Sequence, residues 1–275
     1  SPATDDTEYT IYHTAEEVRK FREWLLGPGT QALLVIDAEW HGKNWQDPTG
    51  YLRTLQIGYD IGHAIIIEFF DEKAQPMIEH PEQVWAEINQ LLTHPQVGLV
   101  GHAVRADGEW LATYGVDIRN NVVYDTMVAE HLLNGAGQFG LESLTTRYTN
   151  LGRYDLELMT WKNDHKAECR DGFGPIPSEI LMPYGAKDVD APRRIMEKQV
   201  PRLQKYMEPR GQYPSLWDVD MHAQDILYEL EQTGLLVDQV QLHKLIGMYQ
   251  EARSELEGKI LTMAATLGVP DFNPN

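Results

Sequence analysis

The chain carries one cysteine, Cys169, in 275 residues, which excludes both an intramolecular disulfide and a cysteine-built zinc cluster. A reducing compartment fits that composition. Its ten histidines are scattered, with no His-Glu-x-x-His pair or comparable helical ligand spacing. Long apolar runs are missing as well. One such stretch, Ala64 to Ile67 with Phe69 and Phe70, is broken by Glu68 and is far too short for a bilayer, so no membrane partner is expected. The opening Ser1-Pro2-Ala3-Thr4-Asp5-Asp6 lacks the order of a secretion signal, and residues 1–9 read as a disordered leader. The expected compartment is cytoplasmic or organellar, and not the secreted space. Positive charge is scarce too: 23 Lys and Arg stand against 42 Asp and Glu, a net charge of −19. Nucleic-acid binders draw affinity from neutralising phosphates, so this balance votes against one unless metal ions or a small basic patch supply the attraction.

What is present suffices for a real core. Hydrophobic residues make up 42% of the chain and charged ones 24%, ordinary values for a globular protein. The length allows one large domain plus an appendage. Thr14-Ala15-Glu16-Glu17 is a capping box ahead of a helical run from Val18 to Leu26. The apolar stretch Ala32 to Ile36 has strand length and ends in Asp37-Ala38-Glu39. Residues 52–59 and 64–70 alternate as strands about a hairpin turn, Asp60-Ile61-Gly62-His63. Helices and short strands then alternate: helix at 81–92, strand at 97–100, helix at 105–114, strand at Val122-Val123, helices at 126–133 and 141–148. This pattern predicts an α/β fold with a mixed sheet flanked by helices. Residues 164–177 read as a loop, and 178–203 as helix that Pro192 kinks or interrupts. The Pro/Gly/Tyr-rich segment 209–214 reads as a boundary, leaving a domain over residues 10–207 and a helical segment over 208–275.

Asp37 and Glu39 lie two apart, so in a strand both carboxylates face one side. Like charges this close are best relieved by a cation, and hard divalent ions take such oxygen ligands. A second element runs from Gly98 through Gly101-His102-Ala103-Val104-Arg105-Ala106 to Asp107, where a buried strand delivers an acid into the first turn of a helix. The third is Tyr184-Gly185-Ala186-Lys187-Asp188, whose ends share a helix face. Each alone has a plainer explanation as a solvated strand end, a helix-dipole contact or a surface pair.

In this order the three elements resemble the DEDD exonuclease superfamily, in its tyrosine-bearing (DEDDy) branch. The segments Tyr114-Gly115-Val116-Asp117, Tyr124-Asp125-Thr126-Met127 and Leu141-Glu142-Ser143-Leu144 are similar to the exonuclease domain of DNA polymerase I-like (family A) enzymes. Glu231-Gln232-Thr233-Gly234-Leu235-Leu236-Val237-Asp238 and Phe272-Asn273-Pro274-Asn275 resemble the start of their polymerase region, so that polymerisation residues would follow this chain. The resemblance implies an RNase H-like fold and a proofreading 3′→5′ exonuclease. Its partners would be a single-stranded DNA 3′ end or frayed primer terminus and the missing polymerase region of the parent chain, and the protein would be a monomer.

The resemblance further implies two divalent cations, Mg²⁺ or Mn²⁺, held by Asp37, Glu39, Asp107 and Asp188, with Tyr184 orienting the attacking water beside Glu39. His102, Arg105 and Lys187 are the cations expected at phosphate, and Trp40, Trp45 and Phe139 the rings expected under bases. Two features depart from the polymerase pattern: Ala103 stands where an amide residue is frequent, and Trp40 to Trp45 resembles RNase D-like and Werner-type exonucleases equally. An exonuclease of that kind acting on RNA, or a catalytically silent DNA-binding domain, are the alternatives.

Overall fold

The computed structural model describes residues 6–269 and 271–273; residues 1–5 of the expected leader and Pro274-Asn275 of the last cluster lie outside them. Helix α1 (Ala15–Leu25) begins at the expected capping box, where the Thr14 hydroxyl accepts from the Glu17 amide and the Glu17 carboxylate accepts from the Thr14 amide. Strands β2 (Ala32–His41), β3 (Tyr51–Asp60) and β4 (His63–Glu68) then form an antiparallel meander. After it come α2 (Pro81–Leu92), β5 (Val97–Gly101), α3 (Arg105–Thr113), β6 (Val122–Asp125), α4 (Thr126–Asn134) and α5 (Leu141–Tyr148), in the expected sequence.

Several expectations change. Glu8 and Tyr9, assigned above to a leader, open strand β1 (Glu8–Tyr12), which runs parallel to β4. The Thr7 hydroxyl donates to the buried Asp190 carboxylate at 2.9 Å, so the chain is anchored before that strand begins. Strand β2 does not stop at Ile36. It continues through Asp37 and Glu39 because β3 pairs with it to His41, and its register shifts between Glu39 and Trp40. Such bulges redirect side chains beside functional sites.

Part of the expected loop is structured: helix α6 (Leu156–Asp164) precedes it, and a 3₁₀ turn spans Glu168–Asp171. Its far end is stitched to the end of β2, where Gly42 donates to the Asp171 carbonyl and Phe173 to the Trp40 carbonyl. Helix α7 (Ser178–Met207) runs unbroken through Pro183, Pro192 and Pro201. Each proline removes one helical hydrogen bond, but Met182, Ala186, Val189 and Leu203 are buried against the sheet-side core, which outweighs that loss.

The six strands lie in the order β1-β4-β3-β2-β5-β6. The strand period of two sorts β2 between layers. Leu34, Ile36 and Ala38 join the core beneath α1, α2 and α3, while Val35 joins the core shared with α7. Asp37 and Glu39 therefore project on the α7 side.

Helices α8 (Leu216–Thr233) and α9 (Gln239–Thr266) follow. The chain divides into two compact units at Tyr228/Glu229, later than the 207/208 boundary expected. The first part of α8 belongs with the α/β unit because the Trp217 ring packs on Tyr124 and the Arg119 guanidinium lies over Tyr228. The second unit holds α9, which has no buried side chain among the described residues. No described helix is long and apolar enough to cross a membrane.

Candidate active site

Two elements converge on one cluster. Strand β2 supplies Asp37 and Glu39, and α7 supplies Tyr184 and Asp188 one helical turn apart. Asp37, Glu39 and Asp188 each bring a carboxylate oxygen within 4.8 Å of the other two. The approach of α7 depends on glycines. A methyl group on Gly58 of β3 would lie 3.0 Å from the Val189 carbonyl, and one on Gly185 2.5 Å from the Gln56 amide nitrogen. Gln56 is itself fully buried and donates to the Thr54 hydroxyl at 2.8 Å.

Asp107 sits in the first turn of α3, buried, and stands outside the cluster of three. Its Oδ1 accepts from the Ala38 amide, between the two β2 acids, at 2.9 Å. The turn that delivers it is shaped by Asp125, which accepts from the amides of Ala103 and Val104 and also caps α4 through Met127 and Val128. Ala103 adopts a positive φ of 55° within that turn.

Burial dominates the electrostatics. It holds Asp37 well above the usual carboxylate range, with Glu39, Asp188 and Asp107 adding repulsion. Glu39 is raised in the same way, first by burial and then by Asp188. Asp107 is raised by burial against the hydrogen bond from Ala38. Asp188 is pushed up to about 7 by burial, although the Tyr154 and Tyr184 hydroxyls both act to lower it. Tyr184 is held well above the ordinary tyrosine value by burial and the Asp188 charge. Asp37 Oδ2 is buried without a hydrogen-bond partner among the described residues. A buried carboxylate oxygen left bare beside two more acids suits a hard divalent cation, whose charge offsets the desolvation that burial imposes. The donor set fits that group: oxygen ligands throughout, and no sulfur or imidazole among them.

The other residues singled out from sequence are dispersed. His102 bonds the Thr126 hydroxyl through Nδ1 at 2.9 Å, and its buried Nε2 has no partner among the described residues. Arg105 lies 3.5 Å from Glu109, and Lys187 faces Asp6 at 3.9 Å. Trp40 stacks on Trp110 with ring centroids 5.5 Å apart, Trp45 packs on the core beneath the sheet, and Phe139 stacks on His131. Tyr154, which precedes α6, was not anticipated. Its hydroxyl donates to Asp188 Oδ1 across 34 positions of sequence, and nothing in Gly152-Arg153-Tyr154-Asp155 signals that contact.

A mixed sheet whose central strand carries paired acids, with an acid and a tyrosine from one helix beside them, places this chain among α/β proteins with a carboxylate cluster on the sheet. The chain belongs to the 3′–5′ exonuclease family associated with family A DNA polymerases, whose family model matches residues 9–204. It is 34% identical over 119 residues to the DNA polymerase of Escherichia phage T5, a match covering 41% of this chain and 14% of that protein. It is 27% identical over 191 residues to DNA polymerase I of Chloroflexus aurantiacus, covering 66% of this chain and 18% of that one. The chain thus spans under a fifth of the length of either relative. Its fold is similar to Escherichia coli RNase D, an exoribonuclease involved in structured RNA processing, with a TM-score of 0.56 and 15% identity over 84% of this chain and 52% of that one.

Proposed function

We propose that this chain removes nucleoside 5′-monophosphates from the 3′ end of single-stranded DNA by two-metal-ion hydrolysis, as the proofreading part of a family A DNA polymerase. The observation that carries this reading is the triad of buried Glu39 and Asp188 with half-buried Asp37, whose Oδ2 is bare. Asp37, Glu39 and Asp188, supported by Asp107, would hold two divalent cations, Mg²⁺ or Mn²⁺. When bound, such ions supply the positive charge that lowers the pKa of the attacking water and stabilises the phosphate in the transition state.

The chain's own groups divide the remaining work. Tyr184 stays protonated at neutral pH because burial raises it, so its hydroxyl orients the water rather than removing a proton from it. Glu39 faces the same space and accepts a hydrogen bond from that water. The buried surroundings limit competing solvent and strengthen every charge interaction within the site. His102 Nε2, buried and unpartnered, is available to the terminal nucleotide. Similarity to two DNA polymerases supports DNA as the substrate, and the polymerase region of a longer parent chain as the partner.

The test is a gel assay on 5′-labelled single-stranded DNA and RNA with Mg²⁺, comparing the parent with Asp37→Ala/Asp107→Ala. Trimming of DNA that the double variant loses, with mononucleotide products identified by mass, is expected. Undiminished trimming by the double variant would overturn the assignment, and faster trimming of RNA would move the substrate to RNA.

A further inference from the structure

The stretch between α5 and α7 supplies a wall of the site that the mechanism above does not use. Phe173 is held at both ends of its backbone. Its amide donates to the carbonyl of Trp40, the residue after Glu39, at 2.8 Å, and its own carbonyl accepts from the buried Arg53 guanidinium at 2.7 Å. The Phe173 ring stacks beside Tyr184, with centroids 6.4 Å apart and planes at 19°. Over that ring stands Lys162 of α6, its Nζ 3.8 Å from the centroid.

Other cations near the site are committed. Arg53 binds carbonyls, Arg105 lies 3.5 Å from Glu109, Arg147 pairs with Glu130, and Arg153 pairs with Asp155 at 2.7 Å. Lys187 faces Asp6. Lys162 differs: it is half-buried, seated on an aromatic face, and has no carboxylate within 4.0 Å among the described residues. An aromatic seat fixes an ammonium without neutralising it, since the ring offers a quadrupole rather than a countercharge. A chain of net charge −19 that admits a phosphodiester to a carboxylate cluster needs such a cation.

Resting on the nuclease reading, we propose that Lys162 is a substrate-binding residue that holds a non-bridging oxygen of the phosphodiester at the 3′ end, with Phe173 as its seat. Strand β3 takes part through Arg53, which fixes the Phe173 carbonyl and so the height of the ring. The segment 164–177 then has a definite role, as the support for a phosphate contact opposite the metal-binding acids.

The experiment compares the parent, Lys162→Met, Lys162→Arg and Phe173→Leu. Binding of a short fluorescein-labelled oligothymidine with a non-hydrolysable 3′-terminal linkage is followed by anisotropy at several salt concentrations. Trimming kinetics and Mn²⁺ affinity are measured alongside. Lys162→Met is expected to weaken oligonucleotide binding about tenfold, the scale of one charge-assisted hydrogen bond at a half-buried site. The loss should fall mainly on KM, and the salt dependence should flatten by about one phosphate contact. Lys162→Arg should recover most of the binding, Phe173→Leu should weaken it less than Lys162→Met, and Mn²⁺ affinity should be unchanged in all three. Equal binding and equal salt dependence for Lys162→Met and parent overturn the proposal while leaving the nuclease reading intact. A fall in Mn²⁺ affinity for Lys162→Met also overturns it, because the lysine would then act through the acids. A parent that binds but does not trim sinks the nuclease reading alone, and a parent that does neither sinks both.

Discussion

Tyr154 donates its phenolic hydrogen to Asp188 Oδ1, so the last acid of the cluster is shared by two tyrosines, one before α6 and one on α7. A hydroxyl that donates to a carboxylate favours the charged form. Removing it with Tyr154→Phe raises the Asp188 carboxyl further above its present value of about 7. Metal binding requires the deprotonated acid. Tyr154→Phe is therefore expected to weaken Mn²⁺ binding severalfold near neutrality and to move the pH midpoint of binding upward. Spin-resonance titration of Mn²⁺ at a series of pH values measures both. An unchanged midpoint would show that the Tyr154 hydroxyl has no hold on Asp188.

The acid cluster should also make the metal-free protein sensitive to rising pH. Asp188 has its folded pKa raised from the ordinary 3.8 to about 7, and Asp37, Glu39 and Asp107 are raised too. A group raised on folding contributes stability that is fully present below its unfolded pKa and is lost as pH climbs through the folded one. The metal-free chain should thus melt several degrees lower at pH ~8 than at pH ~6, within a decline that begins above the unfolded value of 3.8 and, for Asp188, levels off past about 7. Asp37→Asn should flatten that slope and raise the metal-free melting temperature while abolishing trimming. Mg²⁺ or Mn²⁺ should restore the parent's melting temperature at the higher pH, because a ligand bound only by the folded state stabilises it. Melting curves in chelator and in excess metal decide the matter. A metal-free melting temperature that rises between pH ~6 and ~8 would contradict the assignment of raised carboxyls.

The parts of the site legible in the sequence are those governed by local periodicity. Asp37 and Glu39 share a face because a strand repeats every two residues, and Tyr184 and Asp188 share one because a helix repeats every 3.6. The capping box at Thr14 and the boundaries of α2 and α5 follow from equally local rules. Side chains whose meaning is tertiary were not legible. Tyr154 meets Asp188, and Arg53 reaches Phe173 across 120 positions, and no spacing rule connects either pair. Aromatic residues were the most misleading class. Trp40 was expected under a base and stacks on Trp110, whereas Phe173, which lines the site beside Tyr184, looked like loop. A ring near a catalytic motif reads identically whether it faces the core or the site.

Gly58 and Gly185 set how closely α7 approaches β3, and hence where Asp188 stands relative to β2. A methyl group on Gly58 would meet the Val189 carbonyl at 3.0 Å and the Val189 Cβ at 3.1 Å, immediately beside Asp188. Neither can yield without moving α7. Gly58→Ala is expected to cost about 1–3 kcal/mol, an overpacking penalty, and to lower trimming more than its melting temperature would suggest. Gly247→Ala and Gly258→Ala are the controls, since both glycines lie in α9 with nothing within 4 Å. Those two should be neutral, or more stable by up to about 1 kcal/mol each. Wild-type trimming by Gly58→Ala would show that the helix can shift without disturbing the acids.

Arg53 is the largest fully buried side chain, and its partners explain its position. One nitrogen of its guanidinium donates to the carbonyls of Phe173 and Gly174 at 2.7 and 2.8 Å, and the other to the Ser178 hydroxyl at 3.2 Å. Ser178 in turn donates to the buried Glu68 carboxylate at 2.7 Å, at the start of α7. One cation thereby ties β3, the end of β4, the wall at 172–177 and the helix carrying Asp188. Replacing it with the apolar Met fills much of the volume but leaves two carbonyls and the Ser178 hydroxyl without their donor. The expected cost is about 3 kcal/mol, the scale for breaking a buried charge network from one side. Amide exchange should localise the damage. Protection should fall at Gly42 and Phe173, whose amides donate to Asp171 and Trp40, before it falls in α2 or β5. Uniform loss of protection across the sheet would mean that Arg53 supports the core as a whole. Loss confined to the wall, together with reduced trimming, would establish that this arginine holds the site's side in place.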